Sequence, residues 1–159
     1  MVEPNKVTIP YTPRPLQKAF HQQARRFNVA VCHRRFGKTV MAINWLLREV
    51  LTCDRKNAQG AYIAPTYSSA KRIAWVMLRD YAGVIPNVKF NEAELRCDLP
   101  DGKRIWLLGS ENPAALRGMR LDVAVPDEYT DMNARLFPEI VRPALSDFGT
   151  GKCLWIGTP

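Results

Sequence analysis

The segment Cys32-His33-Arg34-Arg35-Phe36-Gly37-Lys38-Thr39 stands between an apolar run and a run of helical period, and it restricts the fold more than anything else in the chain. Before it, Val29-Ala30-Val31 reads as a buried strand. After it, Val40, Met41, Ile43, Leu46, Leu47 and Val50 recur at helical spacing. Strand, loop and helix form the context in which a closing Gly-Lys-Thr counts as a phosphate-binding loop. The N–H groups of such a loop and the helix N-terminus can surround phosphate oxygens. Lys38 would neutralise the β- and γ-phosphates, and the Thr39 hydroxyl would ligate Mg²⁺. Cys32 occupies the place usual for the first glycine and reads as a small buried residue closing the strand, the other reading being a reactive thiol near a helix N-terminus and arginines. A basic turn before an amphipathic helix would use similar letters, but the flanking elements favour a nucleotide site.

At 159 residues the chain is one domain, or most of one, and can bury a sizeable core. Lysine and arginine outnumber aspartate and glutamate 23 to 15, and the net charge of +8 suits a polyanion such as DNA without identifying one. Cys32, Cys53, Cys97 and Cys153 are scattered with no CxxC pair, which excludes an obvious zinc site and fits a reducing cytosol. No apolar stretch approaches a membrane span, and the start lacks a signal-peptide core.

The coarse pattern alternates strands and helices. Strands are expected at Phe27–Val31, Gly60–Ala64, Val88–Phe90, Glu94–Leu99, Arg104–Leu108, Leu121–Val125 and Cys153–Ile156, with Asp101-Gly102 as a hairpin turn. Helices are expected at Lys38–Leu51, at Ser68–Tyr81 with Ile73, Val76, Met77 and Tyr81 on one face, and at Ala134–Leu145 interrupted by Pro138 and Pro143. Pro4, Pro10, Pro13 and Pro15 suggest an extended lead-in. This order predicts an α/β fold, a mostly parallel sheet flanked by helices with a small β-hairpin insertion, whose ligands bind at the carboxyl ends of strands.

Two acids, Asp127 and Glu128, follow the apolar strand that ends at Val125-Pro126. A P-loop needs such a carboxylate to hold Mg²⁺, and Asp127 takes that role. Glu128 would then orient and deprotonate the attacking water as general base. Pro126 has no N–H to give the ladder, so the chain is expected to leave the sheet there.

From about Tyr11 to Pro159 the chain resembles the large terminase subunit of tailed bacteriophages in its N-terminal packaging ATPase domain. The resemblance is carried by Asp127-Glu128-Tyr129-Thr130-Asp131-Met132, Val141-Arg142-Pro143-Ala144-Leu145, Ile156-Gly157-Thr158-Pro159 and the arginine-bearing loop without a first glycine. It implies a P-loop NTPase of the ASCE type that uses ATP and Mg²⁺ to move double-stranded DNA into a procapsid. ATP would lie against Gln17, Arg34, Arg35, Phe36, Gly37, Lys38, Thr39, Val40 and Asp127. Arg34 or Arg35, with Arg35 preferred, would sense or stabilise the γ-phosphate. Thr12-Pro13-Arg14-Pro15-Leu16-Gln17 is similar to the adenine-reading segment, with the Gln17 amide on the base edge. Gly157 and Thr158 match the coupling motif, and Ala64-Pro65-Thr66-Tyr67 the segment linking nucleic acid to the nucleotide site. Arg117 matches the arginine that reaches into a neighbouring subunit, with Arg120 as second choice.

The same resemblance implies a homo-oligomeric ring, a portal protein and a small terminase subunit as partners, in the host cytoplasm and transiently at the portal vertex. Residues 1–26 would be the lead-in and 27–159 an incomplete P-loop core, with the nuclease domain absent and a sheet edge or apolar surface exposed. Lys71, Arg72, Lys103 and Arg104, with Arg79, are the candidate DNA contacts, since basic residues on projecting elements can grip phosphates without reading bases. A helicase-like or remodelling ATPase, and a nucleotide-binding module without hydrolysis, are the alternative readings.

Overall fold

A computed structural model describes residues 6–146 and 149–159. Strands β1 (Phe27–Val31), β2 (Gln59–Ala64), β3 (Lys89–Asn91), β4 (Arg96–Asp98), β5 (Arg104–Gly109), β6 (Val123–Pro126) and β7 (Lys152–Gly157) form a sheet in the order β1-β7-β6-β2-β5-β4-β3. From β1 to β5 all neighbours are parallel, whereas β3, β4 and β5 form an antiparallel meander. The hairpin insertion expected around Asp101-Gly102 is this meander. Asp101 takes a left-handed φ of 63° in its turn.

Helix α2 (Lys38–Leu51) is buried on most sides, with Met41, Ala42, Ile43, Trp45, Leu46, Leu47 and Val50 inaccessible to solvent or nearly so. A helix apolar this far around belongs inside a fold. It packs on the sheet face formed by Tyr62, Val125 and Ile156. The opposite face, with Ala61, Ile63 and Ala124, is covered by Leu136, Ile140, Val141 and Leu145.

The second long helix begins as α3 (Tyr67–Ser69), passes through a π-turn at Ala70–Ala74 and continues as α4 (Trp75–Ala82). Its buried face is Ala70, Ala74, Trp75, Leu78 and Ala82, while Ile73 and Val76 are about half exposed. This corrects the expected face. A π-turn inserts one residue, and one residue rotates the downstream helix by about 100°. A second π-turn, Phe137–Val141, runs into α6 (Arg142–Ser146), so Pro138 and Pro143 do not break that helix.

Three further departures are local. The lead-in is not extended throughout: α1 (Pro15–Gln23) starts on a proline at its first position, where the missing N–H costs nothing. Pro4 lies outside the described residues. Pro126 stays in the sheet, paired with Ile63. Its missing donor shows instead in the β6–β7 ladder, which stops at Ala124↔Cys153 and returns only as a bridge between Asp127 and Ile156. At the sheet edge, Phe27, Val29 and Val31 of β1 are 51%, 64% and 55% exposed, which corrects the reading of Val29-Ala30-Val31 as a buried strand: β1 has a neighbour, β7, on one side only.

Candidate nucleotide site

The loop 32–39 crosses from β1 to α2 above the sheet's carboxyl edge. Cys32 is buried and its N–H donates to Gly157 O at 3.0 Å, which ties the loop to β7. Burial pushes the Cys32 thiol above its ordinary pKa, against the lowering effect of Lys38, which goes against the reactive-thiol reading. Arg35 has a φ of 67°, in the region L-residues avoid, and Gly37 one of 81°. A Cβ on Gly37 would also meet Gln17 Nε2 at 2.7 Å. Glycine is required there for both reasons.

Gln17 is 3% exposed and fully engaged. Its Nε2 donates to Phe36 O and Gly37 O at 3.0 and 3.2 Å, and its Oε1 accepts from Arg14 N–H at 3.0 Å and Tyr11 O–H at 3.3 Å. Arg14 Nη1 donates to Arg35 O at 2.9 Å. The amide expected on a base edge is therefore spent on the loop. Because peptide units are planar and trans, carbonyls of Phe36 and Gly37 held toward α1 turn the N–H groups of Gly37 and Lys38 the other way. Gly37 and Lys38 line a cavity of about 660 Å³, so the brace leaves donors available for an anion.

That cavity is also lined by Arg34, Arg35, Thr39, Val40, Glu128 and Thr158. Phe36 takes part through its carbonyl, as the acceptor of Gln17 and Arg14. The sequence reading missed His33, Met77 and Asp131 in the lining. Asp131 stands in the quoted acidic motif without a role, and Met77 was assigned to the core face.

Across the cavity, Glu128 has a left-handed φ of 49° that aims its side chain back at the loop. Its Oε1 accepts from Lys38 Nζ and, at 2.7 Å, from Thr158 Oγ1. Burial alone would raise its pKa, but the Lys38 ammonium and the Thr158 hydroxyl hold the carboxyl below its ordinary value. Asp127 behaves oppositely, its carboxyl raised by burial against the lowering effects of the Tyr62 phenol and Lys38. Asp127 N–H donates to Ile63 O at 2.8 Å, fixing the residue at the sheet's edge. Its Oδ2 accepts from Tyr62 O–H, while Oδ1 is buried without a partner. An orphaned carboxylate oxygen beside a buried hydroxyl network fits a divalent cation, with Asp127 and Thr39 as its protein groups.

The remaining candidates separate. Arg117 caps the short helix α5 (Pro113–Leu116), is exposed, and does not line the cavity of its own chain. Lys71 and Arg72 are exposed on the first π-turn. Lys103 is a correction: it is 7% exposed, and its Nζ donates to Leu51 O and Cys53 O at 2.8 and 2.7 Å, satisfying carbonyls at the end of α2. Arg104 pairs with Asp98 at 3.3 Å, and Arg79 with Glu92.

No protein-family model and no curated protein matches the chain. Solved structures do. The chain is similar to the large terminase ATPase domain of Thermus phage P74-26, with 26% identity and a TM-score of 0.79 over 95% of this chain. It is also similar to the HK97 bacteriophage large terminase, at 17% identity and a TM-score of 0.74 over 93% of the chain. A third match is the large terminase of a thermophilic bacteriophage in complex with ADP, at 16% identity and a TM-score of 0.70 over 89% of the chain. The chain spans 66%, 33% and 37% of those three chains respectively. Its sheet and P-loop thus have the architecture of large terminase ATPase domains, a P-loop NTPase fold.

Proposed function

We propose that the chain is the ATP-hydrolysing motor domain of a large terminase and drives double-stranded DNA into a procapsid. The observation that carries this reading is the convergence of Lys38, Thr39, Glu128 and Thr158 on one cavity, with Asp127 immediately behind it. The 26% identity to a domain named as a terminase ATPase supports the same reading.

Lys38 pairs with the Glu128 carboxylate across the cavity. A γ-phosphate entering the cavity would draw Lys38 to itself, leaving Glu128 to accept the proton of the attacking water. Thr39 and Asp127 would hold Mg²⁺, which would supply charge neutralisation at the phosphates. Arg34 and Arg35 face the same space, and Gln17 holds the loop in its anion-binding shape. Thr158 bonds both Lys38 and Glu128, so a change at the phosphate reaches β7 through it, with Gly157 packed against the Tyr129 ring.

Arg117, outside its own cavity, is suited to complete a neighbour's site in a ring seated on a portal protein, with a small terminase subunit as the further partner. Lys71 and Arg72 are the best-placed DNA contacts, with Arg104 secondary. The setting would be the host cytoplasm. The test is ATP turnover with and without double-stranded DNA of unrelated sequences. Stimulation by all of them, weakened by salt, is expected; turnover indifferent to DNA would contradict the motor reading.

A further inference from the structure

Tyr62 lies on β2, between β6 and β5, in register with Val125 and Leu107. Its ring is 2% exposed in the core beneath α2. A tyrosine in such a place needs a partner for its hydroxyl, and the partner here is Asp127 Oδ2. The Thr39 side chain is a second polar neighbour of the same phenol. One phenol therefore bonds Asp127 and neighbours Thr39, the two residues that would hold the cation. The two Asp127 oxygens are consequently unequal, since Oδ2 is bound and Oδ1 is buried and unpartnered.

We propose that Tyr62 is a positioning residue for the metal: its hydroxyl fixes the Asp127 carboxylate so that Oδ1 is presented to the cation, in register with the Thr39 hydroxyl. The inference rests on the reading of Asp127 and Thr39 as the metal-holding pair. Without the phenol, the carboxylate is free to rotate and either oxygen must reorient on binding. Partners of metal ligands affect affinity strongly, typically by about tenfold or more.

The test is binding of Mn²⁺, followed by electron paramagnetic resonance, to the full chain saturated with ADP, beside ADP binding measured in EDTA. Tyr62→Phe is expected to weaken Mn²⁺ binding by about tenfold and to leave metal-free ADP binding unchanged. 4-Aminophenylalanine at position 62, which keeps a donor, is expected to restore it. 4-Fluorophenylalanine, which fills the same space without a donor, should behave like Phe and serves if the Phe variant folds poorly. Asp127→Asn separates the two readings. If it weakens Mn²⁺ binding while both donor-less Tyr62 variants bind normally, the positioning role is overturned and the metal pair stands. If Asp127→Asn leaves Mn²⁺ binding unchanged, the metal pair is wrong and the Tyr62 role falls with it. Equal losses of metal and metal-free ADP binding in the Tyr62 variants would mean a packing role only.

Discussion

Thr158 donates its hydroxyl to Glu128 Oε1 at 2.7 Å, joining the residue after β7 to the acid after β6. Lys38 Nζ bonds the same carboxylate oxygen and the same hydroxyl. The acid proposed as general base is thus tied to both the loop lysine and the residue after β7. Glu128→Gln keeps the shape of this cluster and removes the base. It should lower turnover by about 10²–10⁴-fold and leave ATP binding intact, read as single-turnover rates beside equilibrium binding.

The same cluster sets a pH dependence. Glu128 is held below its ordinary value of 4.5, so its ionised form favours the folded chain. That stabilisation is complete above the ordinary value and disappears as pH falls through the lower folded-state value. Thermal melts of wild type and Glu128→Gln should therefore converge at acid pH. Asp127 has the opposite sign, because burial raises its carboxyl and ionisation then costs stability as pH rises. Asp127→Asn should melt higher than wild type at neutral pH while losing activity, a stability–function trade-off.

Gln17→Ala separates loop bracing from base reading. Its amide donates to Phe36 O and Gly37 O, so the variant should bind ATP and inorganic tripolyphosphate less well by a similar factor, about tenfold for one well-made buried bond. A loss confined to ATP would return Gln17 to the base edge.

Much of the site was legible because its spacing is set by local backbone chemistry. Gly37-Lys38-Thr39 must sit where a strand becomes a helix, and Asp127-Glu128 where an apolar strand ends, so those residues could be read directly. The contacts of Gln17, Lys103 and Tyr62 were not readable, because each depends on a partner far along the chain. A buried lysine capping α2 and an exposed one by a turn use the same letter. The face of α3–α4 was misread because a π-turn leaves no compositional mark, and Ile73 and Val76 have the period of a core stripe until one residue is inserted. That the sheet is mostly parallel, by contrast, followed from the alternation of its strands with helices.

Lys103→Met should destabilise the fold by about 1–3 kcal/mol, the cost of leaving buried carbonyls unpaired, and leave DNA affinity unchanged. Lys71→Ala with Arg72→Ala should do the reverse, weakening DNA binding on every sequence and flattening its salt dependence by about two counterions. Melting curves and a salt titration of DNA binding check the pair together.

If Arg117 serves a neighbour's site, turnover should rise faster than linearly with protein concentration. Mixing Arg117→Ala, which keeps its base, with Glu128→Ala, which keeps its arginine, should recover part of the activity that each lacks. Strictly linear scaling with no recovery on mixing would confine the reaction to one chain.

The most direct test is steady-state ATP turnover with Mg²⁺ by the wild-type chain beside its Glu128→Ala variant, at high protein concentration and with double-stranded DNA present. Turnover by the wild type that is lost in the variant, with ATP binding retained in both, is the predicted result. Equal turnover in both, or an absence of ATP binding to either, would contradict the assignment of this cavity as a hydrolytic nucleotide site.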